Sequence, residues 1–512
     1  MSTATGAAAV RPIGGETTPA GSAPSVAPAR PEPAPPAGSL TVAVPVAPTD
    51  ALRDALREID DAIKTQSGAP LARVRKLHVA RWVLLPARVR DLGVDAGAAL
   101  VMWTVFDGDE RAHVAELVGN ARAVLDRIYA HCAGYPVGGD AAAVEEFLLR
   151  HQVCGPVAPF DGTPGRSLAI IHQQNALAEH LAMFVRERKS AGMANRYVFL
   201  EAQRFVDTAL PEPLATFART RFVLRKRPWF VDAAVELLRT IRGAGTHVAV
   251  LAALATAANL LFACVVGLVL GRALGLHAWT WLVVGALVML LPAALTSLTG
   301  LLWMLFLWRT ETREALRWVP VPDRMFKNHH EILKQRDNEG AGMNRMTILT
   351  DVKPGFMRHV TLHAVLGIIA FRARRNHAGV LEGVETIHFA EWRLVDEGRR
   401  LLFMTNYDGD ALGYLFDFSH NAAPGVNAIW GNTEGFPPTR NLIGEGSRNV
   451  EAFQNAARVH QIPTDVWYCG YATRRFSVAR INANWRIHEL LNAFPTPSEV
   501  DEWVGLLERR RA

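Results

Sequence analysis

The sequence predicts an α+β protein: two tandem ferredoxin-like repeats with a two-helix transmembrane hairpin between them. Three observations carry that prediction. Blocks of sequence recur in the same order in both halves of the 512-residue chain. Each half reads as two strands, then a helix, strand, helix, strand and helix, the pattern of an antiparallel sheet covered by helices. Between the halves lie two uncharged apolar runs, 248–270 and 278–308, each long enough to cross a bilayer at about 20 residues per span.

Repetition is read first because it constrains the whole fold. KLHVARWVLL at 76–85 matches TIHFAEWRLV at 386–395 and sets His78 opposite His388, 310 positions apart. WTVFDGD at 103–109 matches MTNYDGD at 404–410 and sets Asp107 opposite Asp408, 301 apart. IYAHCAGYP at 128–136 matches IWGNTEGFP at 429–437. His151 then aligns with His460, Ile171 with Ile481 and Leu177 with Ile487.

Taken in order, residues 1–48 are rich in Ala, Pro and Gly and are expected to be disordered, since they cannot bury enough surface to offset chain entropy. The first repeat is placed at 49–184 and a helical connector at 185–246. The hairpin is placed at 247–308, from the apolar runs 248–270 and 278–308. Arg227, Arg239 and Arg242 flank it on one side, and Arg309, Arg313 and Arg317 on the other. The positive-inside rule then puts both soluble parts in the cytoplasm. A juxtamembrane helical linker at 309–383, the second repeat at 384–494 and a C-terminal helix at 495–512 complete the chain. Within the linker, 358–377 has an apolar body and a basic end. It reads either as a helix lying on lipid or as one covering the sheet.

Composition narrows the function. Half the residues are hydrophobic, a fifth are charged and the net charge is only +6, which suits a bilayer as partner and not nucleic acid. Cys132, Cys154, Cys264 and Cys469 are scattered without a CxxC pair, so neither a disulfide framework nor a thiolate zinc site is expected. His329-His330-Glu331 lacks the HExxH spacing, and His359 with His363 share a helical face without a third ligand, so no metal is expected. Phosphate-loop, dinucleotide and nucleophile-elbow motifs are absent from a strand-to-helix context.

The run from TDVKPG at 350–355 through IHFAEW, LLFMTNYDGDALGYLFDF, AIWGNTEGFPPTR and DVWYCGYA resembles a bacterial membrane-anchored protein family. Its repeats are similar to the dimeric α+β barrel superfamily, which includes dye-decolourising peroxidases and chlorite dismutases. The resemblance implies haem and an inner-membrane, peroxidase-like oxidoreductase acting on a membrane-associated or small organic substrate. The G-x-x-D-G motif of dye-decolourising peroxidases falls on Thr405-Asn406-Tyr407-Asp408-Gly409, with Thr in place of the first Gly. On that reading Asp408 helps to cleave peroxide, Arg440 orients it, Asn406 supports the site, and His388 or His78 ligates haem. Asp-Gly also reads simply as a strand-ending turn. The alternative function is a non-catalytic ligand-binding, lipid-binding or scaffold protein at the cytoplasmic membrane face.

Overall fold

The computed structural model describes residues 37–65, 70–90, 93–154, 157–223, 228–235, 300–320, 342–471 and 476–510, with a short strand at 32–33 and Leu298. The first unit supplies strands β1 (Ala37–Pro45), β2 (Leu77–Leu85), β3 (Ala99–Asp107) and β4 (Val157–Asp161). Its helices are α1 (Asp50–Thr65), α2 (Glu110–Tyr129), α3 (Ala141–Arg150) and α4 (Leu168–Ser190). Helices α5 (Asn195–Thr208) and α6 (Leu214–Arg219) follow, and then α7 at 300–315. The second unit runs β5 (Met343–Asp351), α8 (Phe356–Arg375), β6 (Ile387–Val395), β7 (Arg400–Asp408), α9 (Ala411–His420), α10 (Ala423–Trp430), α11 (Val450–His460), β8 (Val466–Cys469) and α12 (Val478–Leu491). Helix α13 (Pro497–Glu508) comes last.

Two four-stranded sheets result, ordered β8–β2–β3–β1 and β4–β6–β7–β5. Every pairing in them is antiparallel. The last strand of each unit therefore lies in the other unit's sheet: β4 pairs with β6, and β8 with β2. Before crossing, each segment bonds to its own unit's edge. Val153 N–H donates to Thr41 O and Ile462 N–H to Thr347 O, both at 2.9 Å. The two crossings join sheet edge to sheet edge and cover edges that would otherwise be free to pair with another chain.

The exchange depends on one local device, used twice. β2 and β6 each carry a bulge, between Leu77 and Val79 and between Ile387 and Phe389, and so place His78 and His388 at equivalent kinks. The arriving strand ends on a glycine that lies against that kink. Gly162 N–H donates to His388 O and Gly470 N–H to His78 O, both at 2.8 Å. A Cβ on Gly162 would stand 1.8 Å from Ile387 O, and one on Gly470 2.6 Å from Leu77 O.

Both faces of each sheet are covered. Helices α1 to α3 pack Leu56, Leu117 and Phe147 with Trp82 and Met102 of the first sheet. Helices α8 to α11 pack Leu366, Phe418, Trp430 and Phe453 with Trp392 and Phe403 of the second. Between the sheets sit Val83, Trp103, Phe389, Leu402 and Met404. A further cluster joins α4, α5 and α6 to α12 and α13. Burial on both faces explains why the strands read as apolar runs with little alternation.

The α+β class and the antiparallel sheets are as expected; the transmembrane hairpin is corrected. Among the described residues no helix is long and apolar enough to cross a membrane. The run 248–270 and most of 278–308 lie outside the described residues. The described part, 300–308, begins α7, which turns charged at Arg309 and is pinned to the second unit. There Glu311 accepts from Thr439 Oγ1 at 2.8 Å, and Glu314 pairs with Lys353 and Arg358 at 2.7 and 2.8 Å.

The two units are also not self-contained. β1 lies within the expected tail 1–48, while β5 and α8 lie within the expected linker 309–383. Helix α8 buries Arg358, Thr361, Leu362, Leu366 and Ala370 and covers the second sheet.

Two glycine substitutions separate steric contact from backbone conformation. Gly162→Ala should release β4 from β6, seen as lost amide-exchange protection at 389–393. Gly409→Ala, at φ 88° with nothing within 4 Å of a new Cβ, should cost only about 1–2 kcal/mol in urea denaturation.

Candidate functional site

The repeated motif T-x-aromatic-D-G-D can be followed atom by atom, because both copies have equivalent surroundings. Thr104 and Thr405 reach the helix that follows. Thr104 Oγ1 lies 3.0 Å from His113 Nε2, and Thr405 Oγ1 2.8 Å from Tyr414 Oη. The aromatic residue stacks on the same helix ring: Phe106 on His113 at 3.8 Å, and Tyr407 on Tyr414 at 4.0 Å. Gly108 and Gly409 turn the chain at φ 96° and 88°. The final aspartate caps that helix. Asp109 accepts from the backbone of Arg111 and Ala112, and Asp410 from Leu412 and Gly413.

The central aspartate has two partners in each copy. Asp107 Oδ1 lies 2.9 Å from His78 Nε2, and its Oδ2 accepts from Leu168 N–H at 2.9 Å. Asp408 Oδ1 lies 2.8 Å from His388 Nε2, and its Oδ2 accepts from Val478 N–H at 2.7 Å. Leu168 and Val478 are the first residues of α4 and α12, where the helix dipole favours a carboxylate. Each Asp thus ties a strand end, a bulge histidine and a helix start together. His78 and His388 both lie against Tyr471, at ring separations of 6.0 and 5.7 Å, so the two copies meet at this ring.

The other expected residues divide. Asn406 is buried between the sheets, where its Oδ1 accepts from Arg81 at 2.7 Å. Arg81 also donates to Met346 O, Thr347 Oγ1 and Thr405 O, and lies over the Trp103 ring at 4.8 Å. Arg440 is not brought to the aspartate: its side chain is 71% exposed and its ion-pair partner is Glu445 at 3.7 Å. His363 Nδ1 bonds back to His359 O within α8, and among the described residues no group of three ligands could hold a metal. His329, His330 and Glu331 lie outside the described residues.

Three features were missed from the sequence. One is Glu391, fully buried, which accepts from Thr41 Oγ1 at 2.8 Å, Trp103 Nε1 at 3.1 Å, Arg393 Nε at 2.9 Å and the Ser39 hydroxyl. Arg81 and Tyr471 are the others. A signal for the charged pair was present, since Arg81 and Glu391 occupy the same position of matched strands.

Haem does not fit these residues. His388 Nε2 faces Asp408 and its Nδ1 lies 3.3 Å from Tyr471 Oη, which leaves neither nitrogen directed at open space. His78 Nδ1 lacks a protein partner among the described residues, but that ring is buried edge-on to Phe389 at 5.3 Å. A small, partly open pocket lies between β5 and α11, lined by Trp430, Phe453 and His460 and by none of the His–Asp residues. No family model, curated protein or solved structure matches this chain.

Burial holds the His113 pKa down at about 3, while burial pushes Tyr414, its counterpart, well above the usual phenol range. An unfolded histidine takes a proton near pH 6.5, so between 6.5 and about 3 the unfolded chain binds more protons. The stability His113 contributes is therefore complete above pH 6.5 and is lost as pH falls.

Replacing His113 by Tyr, the residue of the other copy, should remove about 2 kcal/mol of the stability lost between pH 6.5 and 5, measured by urea denaturation at each pH. Asp408→Ala strands His388 and the start of α12, and should cost about 3 kcal/mol by the same measurement. Arg440→Ala, at the surface, should stay within about 0.5 kcal/mol.

Proposed function

We propose that this chain is a non-catalytic scaffold, a closed barrel made by one polypeptide that presents its outer surfaces to a partner. One observation carries this reading: both carboxylate oxygens of Asp107 and of Asp408 are engaged in holding strand to helix. General acid–base or peroxide chemistry needs such a group to face a space that a substrate can enter. Here the facing positions are a bulge histidine and a helix N-terminus, repeated in both copies. The space between the sheets is filled by apolar side chains and by the Arg81 and Glu391 networks. The difference between Val105 and Asn406 also has a structural account, because Asn406 meets Arg81 while Val105 packs in the apolar layer between the sheets.

The cytoplasmic face of a bilayer is the setting that best supports this role. Arg309, Arg313 and Arg317 are exposed in and just after α7, and among the described residues no cysteine is in a disulfide. The test is spectroscopic. Full-length protein titrated with haem should give no Soret band sensitive to His388→Ala, and no peroxide-dependent dye oxidation above free haem. A Soret band lost with His388→Ala, or peroxidase turnover lost with Asp408→Asn in a variant that remains folded, would overturn the scaffold reading.

A further inference from the structure

We propose that the first half of α7, with the neighbouring exposed face of α8, enters the apolar layer of a lipid bilayer that carries anionic headgroups. The inference rests on α7 itself and is independent of whether the barrel is catalytic.

A helix on the surface of a water-soluble domain divides lengthwise, with one apolar stripe facing the core and the rest polar. Helix α7 divides crosswise. Residues 301–308 read LLWMLFLW and are apolar around the whole circumference, whereas 309–314 read RTETRE. Among the described residues one side of the apolar half meets the protein: Leu307 is buried and Trp303 Nε1 donates to Thr361 Oγ1 at 3.0 Å. On the other sides Leu301 is 66% exposed, and Leu302, Leu305 and Trp308 are exposed as well. The charged half, by contrast, is fixed by Glu311 and Glu314 as described above. An environment that changes along the axis, with tryptophans at the change, is that of a helix passing from hydrocarbon to water.

Charge points to the same occupant. Arg309 and Arg313 are exposed immediately past Trp308, where headgroup phosphates would lie. On α8, Phe356 and Ile368 are exposed apolar residues, and Arg372 and Arg375 are exposed at its basic end. The sequence that precedes α7, 278–297, has no charged residue, so the apolar character continues up to the patch. Residues 301–308 rise about 12 Å, less than half of a hydrocarbon core of about 30 Å, so this segment dips into the layer and does not by itself cross it.

The test uses full-length protein with Cys154→Ser and Cys264→Ser, leaving the buried Cys132 and Cys469. An environment-sensitive thiol label is placed at Leu305→Cys, at Ile368→Cys, or at Val137→Cys as a control that is exposed on the first unit. The protein is reconstituted into phosphatidylcholine vesicles with and without phosphatidylglycerol. Quencher-bearing acyl chains should remove about half or more of the emission at 305, a smaller part at 368 and none at 137. In the unlabelled chain, Arg309→Gln with Arg313→Gln should weaken partitioning to the anionic vesicles about fivefold per arginine, roughly 30-fold for the pair. A label at 305 that escapes quenching while the protein floats with vesicles overturns the proposal, because protein then covers the face. Shielding that dilutes out with protein concentration identifies a second copy as the cover and overturns it equally.

Discussion

Glu391 is a carboxylate without solvent contact, on a central strand of one sheet, and three of its four donors belong to the other half of the chain. An isolated charge in such a place is too costly to persist, and several kcal/mol of desolvation remain even after relaxation. Ser39, Thr41 and Trp103 reach it from the first sheet, and Arg393 reaches it from its own strand. Arg81, its counterpart, is satisfied the other way round, by Met346 O, Thr347, Thr405 O and Asn406 of the second sheet. Neither sheet can therefore be buried correctly without its partner. The same holds for the strand ladders, since each sheet lacks a fourth strand until the other unit supplies one.

This mutual dependence gives the repeated aspartates a structural task. Exchanged strands must stop at a fixed register, and the following helices must start at a fixed angle. The bulge histidine, the glycine packed against it and the aspartate at the helix start set both. Gly162 and Gly470 occupy space that no side chain could share, so register cannot slip by one residue without collision. Asp107 and Asp408 then hold α4 and α12 by their first backbone N–H. The bulge histidine and the motif aspartate, which suggest chemistry in the sequence, stand in space where a strand meets a helix.

Much of this was legible in the sequence, and the limits have physical causes. The offsets linking His78 to His388 and Asp107 to Asp408 locate the central strands, because those strands are anchored by specific side chains. β1 was missed because AGSLTVAVP follows an Ala/Pro-rich run and is itself built of small residues. β5, MNRMTILTD, was missed because Asn344, Arg345 and Thr347 interrupt its apolar pattern, although all three are buried. The correspondence of Thr41 with Thr347 was the available signal, and it gains meaning only once Glu391 and Arg81 are known to need them. Which copy a final strand pairs with is not encoded in local pattern at all. Nor could sequence separate Asn406 as a catalytic group from Asn406 as the acceptor for Arg81, since that depends on what faces it from the other sheet.

A barrel made from two identical chains would carry a severe restriction. Symmetry places the same residue at both equivalent positions, so a buried Arg at one would face the environment of a buried Arg at the other. Joining the halves in one polypeptide lifts it. The first unit keeps Arg81 and provides the donors Ser39, Thr41 and Trp103, and the second keeps Glu391 and provides the acceptors. Like charges are thereby replaced by opposite ones, and the donors and acceptors complement each other across the interior. The same freedom lets His113 become Tyr414 beneath an unchanged threonine and an aromatic ring. Duplication conserved the joints and released the interior, so the joints show as repeats in the sequence while the interior shows as differences.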